Sequence, residues 1–173
     1  MFNFRKLRAL YLLNFKVRCI REGISDRFAE VEFMDVGLHS GIVETSRTAL
    51  VEKLQNWGAA AGNGSVHRIK VKPLAYWLEQ FPKAKYSDFI SLDVEGHELT
   101  VLSGIDKNSL RAKILLIESD DESQAVIKKM AELGYEAILK NKYNMFFCRD
   151  LDALQCSLEE IVKSYPSYKI MDN

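Results

Sequence analysis

The stretch Asp88-Phe89-Ile90-Ser91-Leu92-Asp93-Val94-Glu95-Gly96-His97-Glu98 constrains this chain more than any other. A mostly apolar run ends abruptly in two carboxylates, Asp93 and Glu95, and a glycine follows. That pattern reads as a buried strand, a turn, and a helix over residues 98–104. Open α/β sheets place their ligands at the carboxyl ends of strands, so a site is expected at this acidic end. A second apolar strand, residues 114–118, ends the same way in Glu118.

The rest of the chain supplies partners for these two strands. Residues 16–20 read as a short strand, 21–26 as a loop, and 29–36 as an alternating strand with Val31 and Phe33 on one face. Residues 42–57 suit a helix, 58–65 a glycine-rich loop, and 66–71 a strand. Pro73 then opens a helix whose apolar face is Leu74, Trp77, Leu78 and Phe81. Asp120, Asp121 and Glu122 suit a helix start; Val126, Ile127, Met130 and Leu133 form its core face, and Gly134 ends it. Residues 135–139 and 145–149 are joined by so short a turn that they must form an antiparallel hairpin. A last helix is expected over 151–163, with Leu154, Leu158, Ile161 and Val162 facing in. The implied fold class is α/β, with a mostly parallel sheet and an antiparallel C-terminal hairpin. Residues 1–150 read as a single domain, with 151–173 a helix and tail packed on it.

Composition narrows the function classes. The chain has 173 residues, 47% of them hydrophobic, enough for one domain with its own core. Net charge is zero, which gives no electrostatic footprint for nucleic acid or an anionic membrane. Cys19, Cys148 and Cys156 form no CxxC pair or His/Cys cluster, so no metal is expected and the chain reads as cytoplasmic. No apolar run approaches the ~20 residues of a membrane span. The first fifteen residues are basic and then apolar, yet Phe4, Leu7, Leu10 and Tyr11 fall at helical spacing and no small-residue cleavage site follows. They read as an amphipathic helix rather than a targeting segment.

Phe33-Met34-Asp35-Val36-Gly37-Leu38-His39-Ser40-Gly41 imitates the first nucleotide-binding motif of Rossmann-type methyltransferases. Such a strand should be followed about 20 residues on by an acidic residue for the ribose hydroxyls, and the next strand here ends in Val71-Lys72-Pro73. Asp35 and Asp93 also lie only 58 positions apart, where three strand-helix units of roughly 30 residues need about 90. The segment therefore reads as a strand and turn.

A fuller match runs along the chain. Phe89 to Ile105 with its Asp93-Val94-Glu95-Gly96-His97-Glu98 signature, then Ile114-Leu115-Leu116-Ile117-Glu118, Leu133-Gly134-Tyr135 and Asn144-Met145-Phe146-Phe147, resembles the carboxyl half of FkbM-family methyltransferases. Gly23-Ile24-Ser25-Asp26, Val31-Glu32-Phe33-Met34 with Ser40-Gly41-Ile42-Val43-Glu44, and Arg68-Ile69-Lys70-Val71-Lys72-Pro73-Leu74 are similar to upstream pieces of that family in the same order. The resemblance implies a Rossmann-like methyltransferase sheet with S-adenosylmethionine as cofactor. It also implies a sheet truncated at the N-terminus, because the family's first strand, glycine-rich turn, first helix and second acidic-ended strand have no counterpart here. In the family's order 3-2-1-4-5-7-6, that leaves the central strand with a bare apolar edge, a surface open to pairing.

Methyl transfer to a hydroxyl of a small molecule or glycan, which the resemblance implies, needs a base or substrate anchor; Asp93, Glu95, His97 and Glu98 gather at one strand end and any of them could serve, with Asp93, Glu95 and His97 the catalytic candidates. Ser25, Asp26 and Asp93 become the cofactor-binding residues. The residues alone leave other readings open. Asp93 and Glu95 could cap the following helix, and His97 and Glu98 suit its surface. Glu118 and Asp120 could join Asp93 on a magnesium ion, or Asp93, Glu95 and Glu118 could serve a metal-assisted hydrolase. Trp57, Trp77 and the tyrosines read as core and rim. A non-catalytic module that pairs as a homodimer, or with a complementing chain, through its exposed sheet edge is the alternative to an enzyme.

Overall fold

The structure, a computed structural model, describes residues 8–9, 11, 17–35, 40–43, 65–118, 123–154 and 157–171. Among these it has two sheets and four α-helices. The sheet strands β1 (Gly23–Ser25), β2 (Ala29–Asp35), β3 (Gly41–Ile42) and β4 (Ser65–Pro73) are ordered β1-β4-β2-β3. The second sheet contains β5 (Phe89–Leu92), β6 (Ile114–Glu118), β7 (Glu136–Lys140), β8 (Asn144–Cys148) and β9 (Lys169–Ile170), ordered β5-β6-β8-β7-β9.

Only β1 with β4 and β5 with β6 pair in parallel; every other described pairing is antiparallel. This corrects the expectation of a mostly parallel sheet. Parallel neighbours need a long crossover, whereas the turn between β7 and β8 is too short for anything but a hairpin.

The first sheet departs most from the sequence reading. Residues 17–20 form no strand, and Gly23–Ser25, read as loop, pairs with Val71, Lys72 and Pro73. Ile42, read as a helix start, is a strand residue paired with Phe33, and Gly41 pairs with Met34. The two ends of the imitation nucleotide motif thus pair with each other antiparallel; its residues 36–39 lie outside the described residues. Val31 and Phe33 do share one face, packed with Ile42, Val71 and Ile69 in a small core.

Around the second sheet the reading holds closely. Pro73 is the N-cap of α1 (Leu74–Gln80), whose Leu78 is buried. Helices α2 (Glu98–Ser103) and α3 (Ser123–Glu132) bring Val101, Leu102, Val126 and Met130 onto Leu92, Leu115, Ile117 and Phe147 in the main core. The opposite face of the sheet buries Ile138, Leu139 and Cys148 under Leu154, Leu158, Ile161 and Val162. The helix expected over 151–163 is split: Asp150 starts a short 3-10 turn, Leu151–Ala153, and Ser157 caps a separate α4 (Leu158–Ser164). Each capping oxygen accepts a backbone N–H and so nucleates its own segment. Strand β9 then adds to β7 through Leu139 and Lys140.

Strand β5 lies at the sheet's edge, and no described strand pairs with its outer side. Its first residue, Phe89, is 50% exposed. The expected N-terminal helix is described only at Arg8 and Ala9, which are helical, and Tyr11. Residues 44–64, including Trp57, and 119–122, including Asp120, lie outside the described residues.

Candidate active site

Leu92 is the last buried residue of β5, and the chain then leaves the sheet through a sharp turn. Glu95 and Gly96 both have left-handed backbones, with φ of 54° and 92°. That conformation is ordinary for glycine and uncommon for glutamate. Glu98 holds the turn from inside: its Oε1 accepts the N–H of Val94 at 2.8 Å and of Gly96 at 3.4 Å. Both Glu98 and His97 are only 5% exposed, against the expectation that they lie on the helix surface. Burial pushes the Glu98 carboxyl up; the N–H groups of Val94, Glu98 and Gly96 pull it down, and the charge on Asp93 adds to the rise.

Neither Asp93 nor Glu95 caps the helix. The N-cap of α2 is His97, with no side-chain capping bond, and Glu98 reaches back to the turn instead. Asp93 and Glu95 are turned toward Glu118: one oxygen of each of the three carboxylates lies within 4.8 Å of the others. The register explains the convergence. Leu92 pairs with Ile117 in the parallel β5–β6 ladder, so the residues that follow them, Asp93 just beyond the end of β5 and Glu118 at the end of β6, lie side by side. Three carboxylates in this arrangement can accept hydrogen bonds and protons from hydroxyls, or hold a hard cation through oxygen alone.

The other half of the site comes from the first sheet. Ser25, the last residue of β1, is 2% exposed. Its Oγ lies 3.0 Å from His97 Nε2 and 3.1 Å from Asp26 Oδ1. Arg27 Nη1 donates to the same Asp26 oxygen at 3.1 Å. Asp26 itself keeps 32% of its side chain exposed. Gly104, at the end of α2, packs directly on this loop: a Cβ there would lie 2.6 Å from the Asp26 Cα. Through the Ser25–His97 contact the loop that carries Asp26 meets the turn that follows Asp93 and Glu95. In the sequence Glu98 and Gly104 look like ordinary first and last residues of a short helix, so the clasp one makes and the close packing the other allows are visible only in the fold.

Aromatic rings flank the loop. Phe28, 64% exposed, meets Tyr76 edge-on at 5.3 Å, and Tyr76 meets Trp77 at 5.1 Å. Lys72 sits 4.8 Å from the Tyr76 ring centre and bridges Glu22 at 2.8 Å, and the carboxylate holds its ammonium pKa up.

Among known proteins, the family model described as the methyltransferase FkbM domain matches residues 23–137. No curated protein and no solved structure matches the chain. The matched span runs from β1 into β7 and includes every site residue named above. It covers more than half of the sequence, and the chain belongs to the FkbM methyltransferase domain family.

Proposed function

We propose that the chain is an S-adenosylmethionine-dependent methyltransferase that methylates oxygen on a hydroxylated small molecule or glycan in the cytoplasm. The observation that carries this reading is the meeting of Asp93, Glu95 and Glu118 at the carboxyl ends of β5 and β6, in a chain of the FkbM family. The order β5-β6-β8-β7 supports a Rossmann-like sheet, whose last four strands run 4-5-7-6.

The donor set fits the cofactor. An adenosyl group offers hydroxyl and amine hydrogens, for which the exposed carboxylates of Asp26 and Asp93 are acceptors. A sulfonium cation is favoured near acidic side chains. When bound, S-adenosylmethionine supplies an electrophilic methyl group. Asp93 and Glu95 orient the acceptor hydroxyl and take its proton, with general-base assistance worth about 10²–10⁴-fold.

Calorimetric titration of the 173-residue chain with S-adenosylhomocysteine tests the reading. Micromolar binding, weakened about tenfold or more in Asp93→Asn, is expected. A folded chain giving no heat at millimolar ligand would sink it.

The outer side of β5 favours a second reading, a module that pairs through this edge as a homodimer or with a complementing chain. Phe89 is half exposed there, and no described strand covers the ladder. Unpaired edges recruit other strands. That reading requires concentration-dependent association in light scattering, abolished by Phe89→Lys; a monomer at all concentrations defeats it.

A further inference from the structure

Ser25, at the end of β1, and His97, the N-cap of α2, are buried polar side chains, and their contact at 3.0 Å joins the β1 loop to the turn that carries Glu95. The direction of this contact follows from proton counting. The Asp26 carboxylate, paired with Arg27, has only lone pairs to offer, and Ser25 Oγ lies 3.1 Å from its Oδ1. Ser25 has one hydroxyl proton. Given to His97, it would leave two oxygens facing each other lone pair to lone pair at 3.1 Å. Given to Asp26, it leaves Ser25 to accept from His97, which requires the proton on Nε2. The relay therefore runs His97 Nε2–H to Ser25 Oγ–H to Asp26 Oδ1, with Arg27 Nη1 donating to the same oxygen.

We infer that His97 is a positioning residue: through Ser25 it fixes the Asp26 carboxylate, and it is not the base that takes the acceptor's proton. A base must come within hydrogen-bond reach of the hydroxyl it deprotonates. His97 is 5% exposed and its Nε2 proton is committed to Ser25. With Oδ1 held by Ser25 and Arg27, the Asp26 Oδ2 atom, 3.5 Å from Arg27 Nη1, is left to accept from a hydroxyl or amine of the bound ligand. Gly104 supports the arrangement, because the absence of a side chain there lets α2 seat directly on the Asp26 backbone. The inference rests on the cofactor reading for its ligand. The relay's direction is a property of the free protein.

Two measurements on the full chain test it. Glutamine places an amide N–H near where the imidazole Nε2–H stood, and asparagine is too short to do so. Titration with S-adenosylhomocysteine should show His97→Gln within about threefold of the parent, and His97→Asn and Ser25→Ala each weaker by about tenfold. The double variant Ser25→Ala/His97→Asn should be no weaker than either single one, because both break the same relay. Thermal unfolding of each variant identifies the temperature at which all remain folded for the titration. In parallel, long-range ¹H–¹⁵N spectra of the imidazoles, assigned with His97→Gln, should show His97 as the Nε2–H tautomer. A Nδ1–H tautomer overturns the relay. Equal loss in His97→Gln and His97→Asn overturns the positioning role. If the parent chain binds no S-adenosylhomocysteine, the methyltransferase reading fails, while the imidazole spectrum still decides the relay.

Discussion

Gly104 approaches Asp26 so closely that a methyl group on it would come within 2.6 Å of the Asp26 Cα and 3.2 Å of its carbonyl oxygen. The Gly104 backbone, with φ of −80° and ψ of 5°, suits alanine well. On conformational grounds alone Gly104→Ala would stabilise by about 0.4–1 kcal/mol. Contact with backbone atoms reverses the sign.

The expected outcome for Gly104→Ala is therefore a destabilisation of about 1–3 kcal/mol together with weaker ligand binding, because the loop that carries Ser25 and Asp26 has to move. Urea denaturation and S-adenosylhomocysteine titration check the two parts separately. A more stable variant would mean that the loop and α2 are not packed as described.

Glu95 offers the opposite trade. Its left-handed φ of 54° is strained for any residue with a Cβ. Glu95→Gly should raise stability by about 0.5–1 kcal/mol while lowering methyl transfer, since it removes one of the three converging carboxylates. Denaturant midpoints and a methyl-transfer assay on the same preparation read both effects. A loss of stability would show that the contacts of the glutamate side chain outweigh its backbone strain.

The buried Glu98 carboxyl sets a pH dependence. Burial, the largest influence, raises its pKa above the ordinary 4.5, so the folded chain holds this proton more tightly than the unfolded one. Its contribution to stability is full below the unfolded value near 4.5 and is lost as pH rises through the folded value. Glu98→Gln cannot ionise, so its stability relative to the parent should improve steadily from pH 4.5 toward neutrality. Glu98→Ala removes the acceptor for the Val94 N–H and should cost about 1–3 kcal/mol. Melting temperatures of the three proteins across that range provide the check; parallel pH profiles for parent and Glu98→Gln would refute the burial argument.

Tyr135 tests the main core away from the site. It is 2% exposed, and its hydroxyl donates to the Ala112 carbonyl at 2.9 Å. Tyr135→Phe should cost about 1–2 kcal/mol because it leaves that carbonyl without its partner, with ligand binding unchanged. Equilibrium unfolding measures the first and calorimetry the second.

The second sheet was legible because its signals are local. The continuous apolar run of residues 114–117, the glycine that closes α3 and the short turn between β7 and β8 each act over a few residues, and the structure has β6, the α3 core face and the hairpin where they indicate. The first sheet was legible only in its two long strands, β2 and β4, which lie where alternation along residues 29–36 and 66–71 indicates. Gly23–Ser25 is too short to carry a pattern and is a strand only because β4 lies beside it. Ile42 stands at the head of a helix-spaced apolar pattern, yet its β-branched side chain suits the strand it forms opposite Phe33.

The sequence by itself determined that one strand runs out into Asp93 and Glu95 and that a second ends in Glu118; the first, expected to be buried, is an edge strand in which only Leu92 is buried. Tertiary structure alone decided which side chains meet. The register Leu92 to Ile117 brings Glu118 to Asp93; seating Gly104 on Asp26 brings Ser25 to His97 across 72 positions; and burial turns Glu98 from a surface acid into the clasp of its own turn. Strand ends are written in local hydrophobicity. Contacts between distant residues depend on packing distances that no local pattern contains.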